Sequence, residues 1–298
     1  MMVDNLDITI TGKPVRIARL THERYVDVNA PEPVLELIKL QQIKADIFTF
    51  CQRLPESKPK YNNYYMEYDS IAAVPISNYE YWLEQQIPKQ TRTSLKKAEK
   101  KGVIVKQAAF DDEFIKGMTS IFNESPIRQG RPFWHYGKNF EAVKKEFSLY
   151  AFREDHIGAY YNDELIGFLF FADAGRYAIT IQIISKIAHQ DKKPNNALIA
   201  KAIEICAEKK IPWLVYGKWA RGTWGEFKRH NGFENVVLPR YYIPLSVKGR
   251  AVLRLRLHNG IVGLLPEKII LRLRDMREKF YSMRYKEAIK YRGGTIDR

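Results

Sequence analysis

The chain has 298 residues, 45% hydrophobic and 28% charged, with 49 Lys and Arg against 34 Asp and Glu and a formal net charge of +15. That is enough apolar material for one large or two small packed domains, and no Gly/Ser-rich or Pro-rich tract marks disorder. Two cysteines, Cys51 and Cys206, exclude a disulfide framework and a cysteine zinc site, while the positive surplus points to anionic partners: nucleic acid, phosphorylated ligands or an acidic membrane surface. A basic solvated face explains the charge equally well. The start, MMVDNLDITI, lacks the features of a secretory signal, and the longest apolar run, LIGFLFFA, is far short of a membrane span. A cytoplasmic protein without a transmembrane segment is expected.

In the first hundred residues, LDITI, VRIARL, DIFTFCQRL and YYMEYDSIAAVPI read as strands, and PEPVLELIKLQQI as a helix with Pro33 in its first turn. Ser77 and Glu80 have capping-box spacing before the helix YEYWLEQQI, which Pro88 ends. Thr91 is the expected N-cap of TRTSLKKAEKKG, a helix carrying Arg92, Lys96, Lys97, Lys100 and Lys101 and stopping at Gly102.

From Val103 the pattern becomes regular. VIVKQ reads as a strand, and two helices, DDEFIKGMTSIFNES and NFEAVKKEFSLY, flank a polar aromatic loop. HIGAYY and ELIGFLFFAD make a hairpin across Asn162-Asp163, and YAITIQIISK is a further strand. The helix after Pro194 has an apolar stripe of Leu198, Ile199, Ala202, Ile203, Ile205 and Cys206. IPWLVYGKW is a strand, WGEFKRHNG a short helix behind a Thr223/Glu226 capping box, and FENVVLPRYYIPLS a closing strand. From Ser246 on, fourteen Lys and Arg face five Asp and Glu; LRLRLH alternates like an edge strand. Ile269, Leu273, Met276, Phe280 and Met283 follow at heptad spacing, and this seam is expected to pack on the body of the protein.

This order of elements, from Val103 to Ser246, resembles the GNAT superfamily of acyltransferases, and within it the Fem-like aminoacyltransferases that build peptidoglycan cross-bridges. Three stretches carry the resemblance: TRTSLKKAEKKGVIV, PNNALIAKAIEICAEKKIPWLVYG and EFKRHNGFE. It implies an α+β fold with a mixed central sheet flanked by helices. The expected division is an N-terminal α+β region at 1–102, readable as a degenerate copy of the same fold, a GNAT-like domain at 103–246 and a basic helical extension at 247–298.

It also implies an acyl or aminoacyl transfer to an amine of an acidic acceptor, such as an envelope or polysaccharide precursor. No cofactor is expected to be tightly bound; the co-substrate is acyl-CoA or aminoacyl-tRNA. Members that use acetyl-CoA carry a glycine-rich turn at the mouth of the central helix, where backbone meets pyrophosphate. Here the place reads HQDKKPNNA, without glycine. Lys192 and Lys193 still offer charge there, while Asn195 or Asn196 can cap the helix instead. Fem-like enzymes also lack the turn and take their acyl group from tRNA, a polyanion that the basic helix and tail would suit.

The candidate site residues follow from the needs of acyl transfer: a neutral amine, donors for the oxyanion, and a proton for the leaving group. Gln182 and Lys186, with Thr180, are expected on one face of YAITIQIISK, opposite Tyr177, Ile179, Ile181 and Ile183. Together with Lys192, Lys193, Asn195 and Asn196 they form the expected donor end. Tyr216 is a candidate acid, although a hydrogen-bonded core tyrosine is the commoner case. Lys228 matches a lysine of the Fem-like pattern and is placed beside the reacting carbonyl by that resemblance. In the loop NESPIRQGRPFWHYGKNF, Arg128, Arg131, Trp134 and Tyr136 suit an anionic acceptor and His135 a base; packing that pins the loop is the alternative. The six histidines show no metal-ligand spacing, and no phosphate-binding glycine loop or nucleophile elbow is present. A reading from another class is a catalytically inactive GNAT-like module that binds nucleic acid or an anionic membrane through 247–298.

Overall fold

The computed structural model describes residues 7–21, 23, 28, 30–128, 131–148, 154–220 and 222–260, with 269, 272, 273, 276, 277, 279–281 and 283 beyond them. The N-terminal third supplies β1 (Ile8–Thr11), β2 (Ile17–Leu20), α1 (Glu32–Leu40), β3 (Ile47–Cys51) and β4 (Tyr65–Pro75). Then come α2 (Tyr79–Tyr81), running into a π-helical turn at Trp82–Gln86, and α3 (Lys89–Lys100). The regular part follows as β5 (Ile104–Gln107), α4 (Asp112–Asn123), the short β6 (Ile127–Arg128) and β7 (Arg131–Pro132), α5 (Phe140–Ser148), β8 (Glu154–Tyr161), β9 (Glu164–Asp173) and β10 (Ala178–Ser185). It ends with α6 (Pro194–Glu208), β11 (Trp213–Lys218), α7 (Thr223–His230), β12 (Glu234–Pro244) and α8 (Val247–Arg254).

All the strands but β6 and β7 join one ten-stranded sheet in the order β1-β2-β3-β12-β4-β11-β10-β9-β8-β5. The pairs β10/β11 and β2/β3 are parallel and the others antiparallel. The decisive placement is that of β4. It pairs with β12 from Tyr65↔Tyr242 to Ala73↔Glu234, and on its other edge with β11 from Ile71↔Lys218 to Pro75↔Trp213. Residues 1–102 and 103–246 therefore share one sheet, and a strand of the first completes the second.

One face of the sheet is covered by α6 and α3. Leu198, Ile199, Ala202, Ile203 and Cys206 pack there against Ile166, Leu169 and Phe171, and each of these side chains is fully buried. Burial of a leucine- or isoleucine-sized side chain is worth about 1.5–3 kcal/mol, so the α6 stripe is the main fastening of this layer. The opposite face carries α4 and α5, whose Phe114, Met118, Ile121, Phe122 and Val143 cover Phe168 and Phe170. At the N-terminal end α1 sets Val34 and Ile38 against Phe48, Phe50 and Tyr241.

Several expected helix starts differ in detail. The residue that caps α2 is Asn78, whose side chain accepts from the Tyr81 N–H, one place after the serine expected. The start of α3 is Lys89 behind extended Pro88; Thr91 lies in its first turn and donates its hydroxyl to the His230 carbonyl at 2.7 Å. The Pro88 carbonyl accepts from the Thr91 and Arg92 N–H groups, which sets the start of the helix there. Gly222, not Thr223, holds the N-cap position of α7.

The tail departs further. The LRLRLH segment is not an edge strand: Ser246 accepts from the Gly249 N–H and starts α8, which runs through Arg254 into a short 3-10 turn, Leu257–Asn259. A good side-chain cap outweighs a three-step alternation. Ile269, Leu273, Met276, Phe280 and Met283 are helical, yet each is between 44% and 66% exposed, so among the described residues the seam is not buried against the body as expected.

A fragment of 103–246 lacks β4 and leaves unpaired edges on β11 and β12, so it is expected to aggregate or to show no cooperative melt. A soluble fragment with a sharp thermal transition would show that β4 is dispensable.

Candidate functional site

The central strands part company at one place. β10 pairs with β11 at Ala178↔Leu214 and Ile179↔Val215, and the pairing ends there. Just beyond, β10 has a bulge against β9 between Thr180 and Gln182, and β11 slips in register against β4 between Val215 and Lys218, where Gly217 has φ +60. A bulge adds a residue to one strand and bends it. The result is a V-shaped cleft with arms at 180–185 and 216–218. The bulge also breaks the expected alternation: Thr180 pairs with Phe171 on the α6 face, while Gln182 pairs with Phe170 on the α4 face. Thr180 and Gln182 thus lie on opposite faces, and Ile183 packs on the α6 side, away from Ile179. Thr180 sits at the apex, buried, with its hydroxyl oxygen unpartnered.

Lys228 occupies the β11 arm. It is 5% exposed, and its ammonium donates to the Tyr216 and Lys218 carbonyls, both at 2.7 Å, while lying 4.5 Å from the Tyr216 ring centre. An ammonium has three donors, so two are spent on backbone and one remains. Burial pulls its pKa down to about 8, below the ordinary lysine value. Tyr216 packs edge-on against Phe233, and burial pushes its hydroxyl up, so it holds its proton.

The position of Lys228 is fixed from both ends of α7. At the start, a Cβ on Gly225 would stand 2.0 Å from the Ala220 carbonyl oxygen, so only glycine lets the turn close. At the end, fully buried Asn231 donates to the Phe227 carbonyl at 2.7 Å, accepts from the Asn196 amide at 3.2 Å, and offers its own carbonyl to the Trp82 indole at 3.1 Å. Asn231 was legible in the sequence only as a helix stop; its role as a junction of α6, α7 and the Trp82 turn depends on long-range packing.

The mouth of α6 is not capped by its asparagines. The N-cap is Lys193 in the left-handed region (φ 56, ψ 39), followed by Pro194, with no side-chain cap bond. Asn196 turns to Asn231, and the Asn195 side-chain oxygen is buried and unpartnered. Lys186 is tied to Glu164 and to Ser120 (2.9 Å), and Lys192 lies 4.6 Å from the Tyr161 ring centre and 3.5 Å from Asp191.

The loop at 125–138 meets the open end of the β10 arm. Arg128 donates to the carbonyls of Ser185 and Ile121, each at 2.8 Å, and to Glu124 at 2.9 Å. Glu124 in turn accepts from the Ile187 and Ala188 N–H groups at 2.6 and 2.9 Å. This carboxylate, which gave no sequence signal beyond its place in a helix, brackets the exit from β10. His135 is 1% exposed, stacked on Phe122 at 4.2 Å, and held down to about 4 by burial and by Lys138. It is neutral at pH 7 and walled in by rings. Arg131, Trp134 and Tyr136 lie at the surface, Trp134 beneath the Lys138 ammonium at 3.9 Å. The structure thus brings Lys228 and Tyr216 together, and Lys192, Lys193 and the asparagines at one mouth, but it draws Arg128 and His135 inward, His135 beneath the exposed Trp134 ring at 3.8 Å.

No protein-family model and no curated protein matches the sequence. Solved structures do match the fold. FemX superposes with a TM-score of 0.56 at 10% identity, covering 84% of this chain and 86% of its own. The chain shares the fold of FemX. The C-terminal domain of a putative lysylphosphatidylglycerol synthetase from Agrobacterium fabrum gives a TM-score of 0.56 at 9% identity over 83% of each chain. The structure of L-PGS from Bacillus licheniformis gives 0.52 at 13% identity over 84% of this chain and 85% of that one. At such identities the likeness is one of fold, and function has to be argued from the site.

A cavity of about 920 Å³ is lined by Arg229 and Trp219, the chain neighbours of Lys228 and Lys218, with Tyr81, Gln85 and Trp213. It is roomy enough for a drug-sized or larger ligand. Among the described residues no cluster of three metal-ligating side chains occurs, and no helix is long and apolar enough to cross a membrane.

Arg128→Ala is expected to cost about 2–3 kcal/mol in chemical denaturation, since it strands two carbonyls and Glu124. An unchanged midpoint would count against the bracket. Gly225→Ala should lower the melting temperature and release Lys228 from its carbonyls, read as a rise of the lysine pKa toward the ordinary value by NMR titration.

Proposed function

We propose that this protein is an acyltransferase that moves an aminoacyl group from an ester donor to an amine, with the reacting carbonyl held in the V between β10 and β11. The observation that carries the reading is the Lys228 ammonium, desolvated on the β11 arm with one N–H uncommitted. The amine attacks the carbonyl carbon, a C–N bond forms and the carbonyl oxygen becomes an oxyanion. Lys228 supplies the charge that meets it, stronger for being out of water. The tetrahedral species collapses, the C–O bond to the donor breaks, and the leaving oxygen takes up a proton while the new amide nitrogen gives one to water. Of the other candidates, Tyr216 keeps the proton that an acid needs, while His135, the candidate base, is enclosed by Phe122 and Trp134.

The donor we favour is an aminoacyl-tRNA. Where an acetyl-CoA cradle needs backbone N–H groups and no side chains, α6 opens with a left-handed lysine and a proline that has no N–H. The surplus of +15 suits a polyanion. The acceptor would be an amine on an acidic envelope precursor, met by the surface residues Arg131, Trp134 and Tyr136. A purely binding module has no use for a lysine held out of water at a cost in solvation, so the inactive reading has less to support it.

The test is label transfer from charged tRNA to an amine acceptor, scored with hydrolysis of the ester as background. Lys228→Met should lower the rate by about 10²–10³-fold while circular dichroism stays native. The rate should fall as pH rises through about 8, where Lys228 loses its proton. Lys228→Arg, which stays charged, should move that fall to higher pH. Stability runs the other way. The folded pKa lies below the unfolded one, so the burial cost is full below about 8 and relieved as pH climbs toward the ordinary lysine value. Micromolar acetyl-CoA binding by calorimetry, weakened by Lys192→Ala with Lys193→Ala, would reassign the donor to a thioester.

A further inference from the structure

The described residues of the helical seam in the tail are exposed, and their surroundings say what kind of partner fits. Ile269, Leu273, Met276, Phe280 and Met283 are all at the surface. At about 100° per residue they fall within a strip of roughly 80° on one side of a helix. Arg272 lies along one margin of that strip and Arg277 along the other, both exposed. The segment from Ser246 onward carries nine of the fifteen surplus charges, since fourteen Lys and Arg stand against five Asp and Glu.

We propose that this helix is a docking surface for an anionic phospholipid bilayer, lying in the plane of the interface with the seam among the acyl chains and the cations on the headgroups. An apolar strip with cations on both margins is the pattern of an interfacial helix. A second copy of the chain fits less well: seam-on-seam pairing sets Arg272 beside its own equivalent or beside Arg277, cation against cation. Nucleic acid would neutralise the arginines but leave five apolar side chains in water. The anchor upstream is firm, because α8 is docked through buried Val252 and Leu253 and through Ser246, which donates to Asp46 at 2.9 Å. The protein would therefore meet its acceptor at a membrane surface. The inference stands apart from the role of Lys228, since it concerns binding and not transfer.

The experiment is vesicle flotation of the full chain, with vesicles of phosphatidylcholine alone and of equimolar phosphatidylcholine and phosphatidylglycerol. Binding to the anionic vesicles only is expected, weakening as salt is raised. Leu273→Glu with Phe280→Glu, at exposed positions, should reduce it by about tenfold or more with an unchanged melting temperature, and Arg272→Glu with Arg277→Glu should do the same. Equal binding to both vesicle types, or a seam variant that floats like the wild type, would overturn the proposal. So would a dimer in sedimentation that Leu273→Glu with Phe280→Glu turns into a monomer. Absence of flotation, with tRNA binding that only the arginine variant loses, would assign the helix to nucleic acid.

Discussion

The cleft exists because β11 is held on its far edge. A strand that leaves one neighbour midway must be fixed by the other, or the opening closes or frays. Here β4 supplies that support, pairing with β11 on one side and β12 on the other. A hydrogen bond between Ser70 and Asn235, and Arg240 bonded to Asp69 at 2.7 Å and Glu23 at 2.9 Å, lock β4 and β12 together and tie them to the N-terminal third. Arg240 is largely buried, and its two carboxylates answer the desolvation that a lone guanidinium would suffer. The N-terminal third is thus part of the scaffold of the candidate site, whatever else it does.

The charge of the molecule sorts into three kinds. Much of it is spent locally: Lys138 on Glu146, Lys101 on Asp191, Lys186 on Glu164. Exposed pairs of this sort contribute little stability, but they explain why a lysine-rich mouth is not by itself an anion site. A second kind is gathered in the tail. The third is one ammonium, Lys228, placed where water does not screen it. A net charge of +15 describes the surface and says nothing of that one, although it is the charge best placed to act on a bond.

How much of this was legible in the sequence follows the range of the forces involved. Strands and helices from Val103 to Pro244 show in the residues because their patterns are local: the α6 stripe, the Asn162-Asp163 turn and the β-branched runs each carry their own periodicity. Lys228 was legible only through the resemblance of EFKRHNGFE, since a lysine on a short helix carries no sign that it will be buried. What failed were features set by partners far along the chain. The bulge at Thr180 arises from how β10 lies against β9, and it moved Gln182 to the other face. Nothing local in the sequence shows that Arg128 would reach the Ser185 carbonyl or that His135 would stack on Phe122. The alternation of LRLRLH lost to a serine whose capping role is plain only once Gly249 lies above it.

The path of β4 also bears on how the chain comes to be folded. Its two neighbours lie some 140 to 180 residues further along, so β4 leaves the ribosome long before either exists. Until β11 and β12 emerge, an eleven-residue strand containing Ile71, Ala72, Ala73 and Val74 has two open edges, the state in which strands pair with wrong chains. The sheet closes only after residue 244 is made, and contacts of such long range are the slow ones to form. Glu67 and Asp69 are the acidic residues of that strand. In the finished sheet Asp69 is the partner of Arg240 at 2.7 Å.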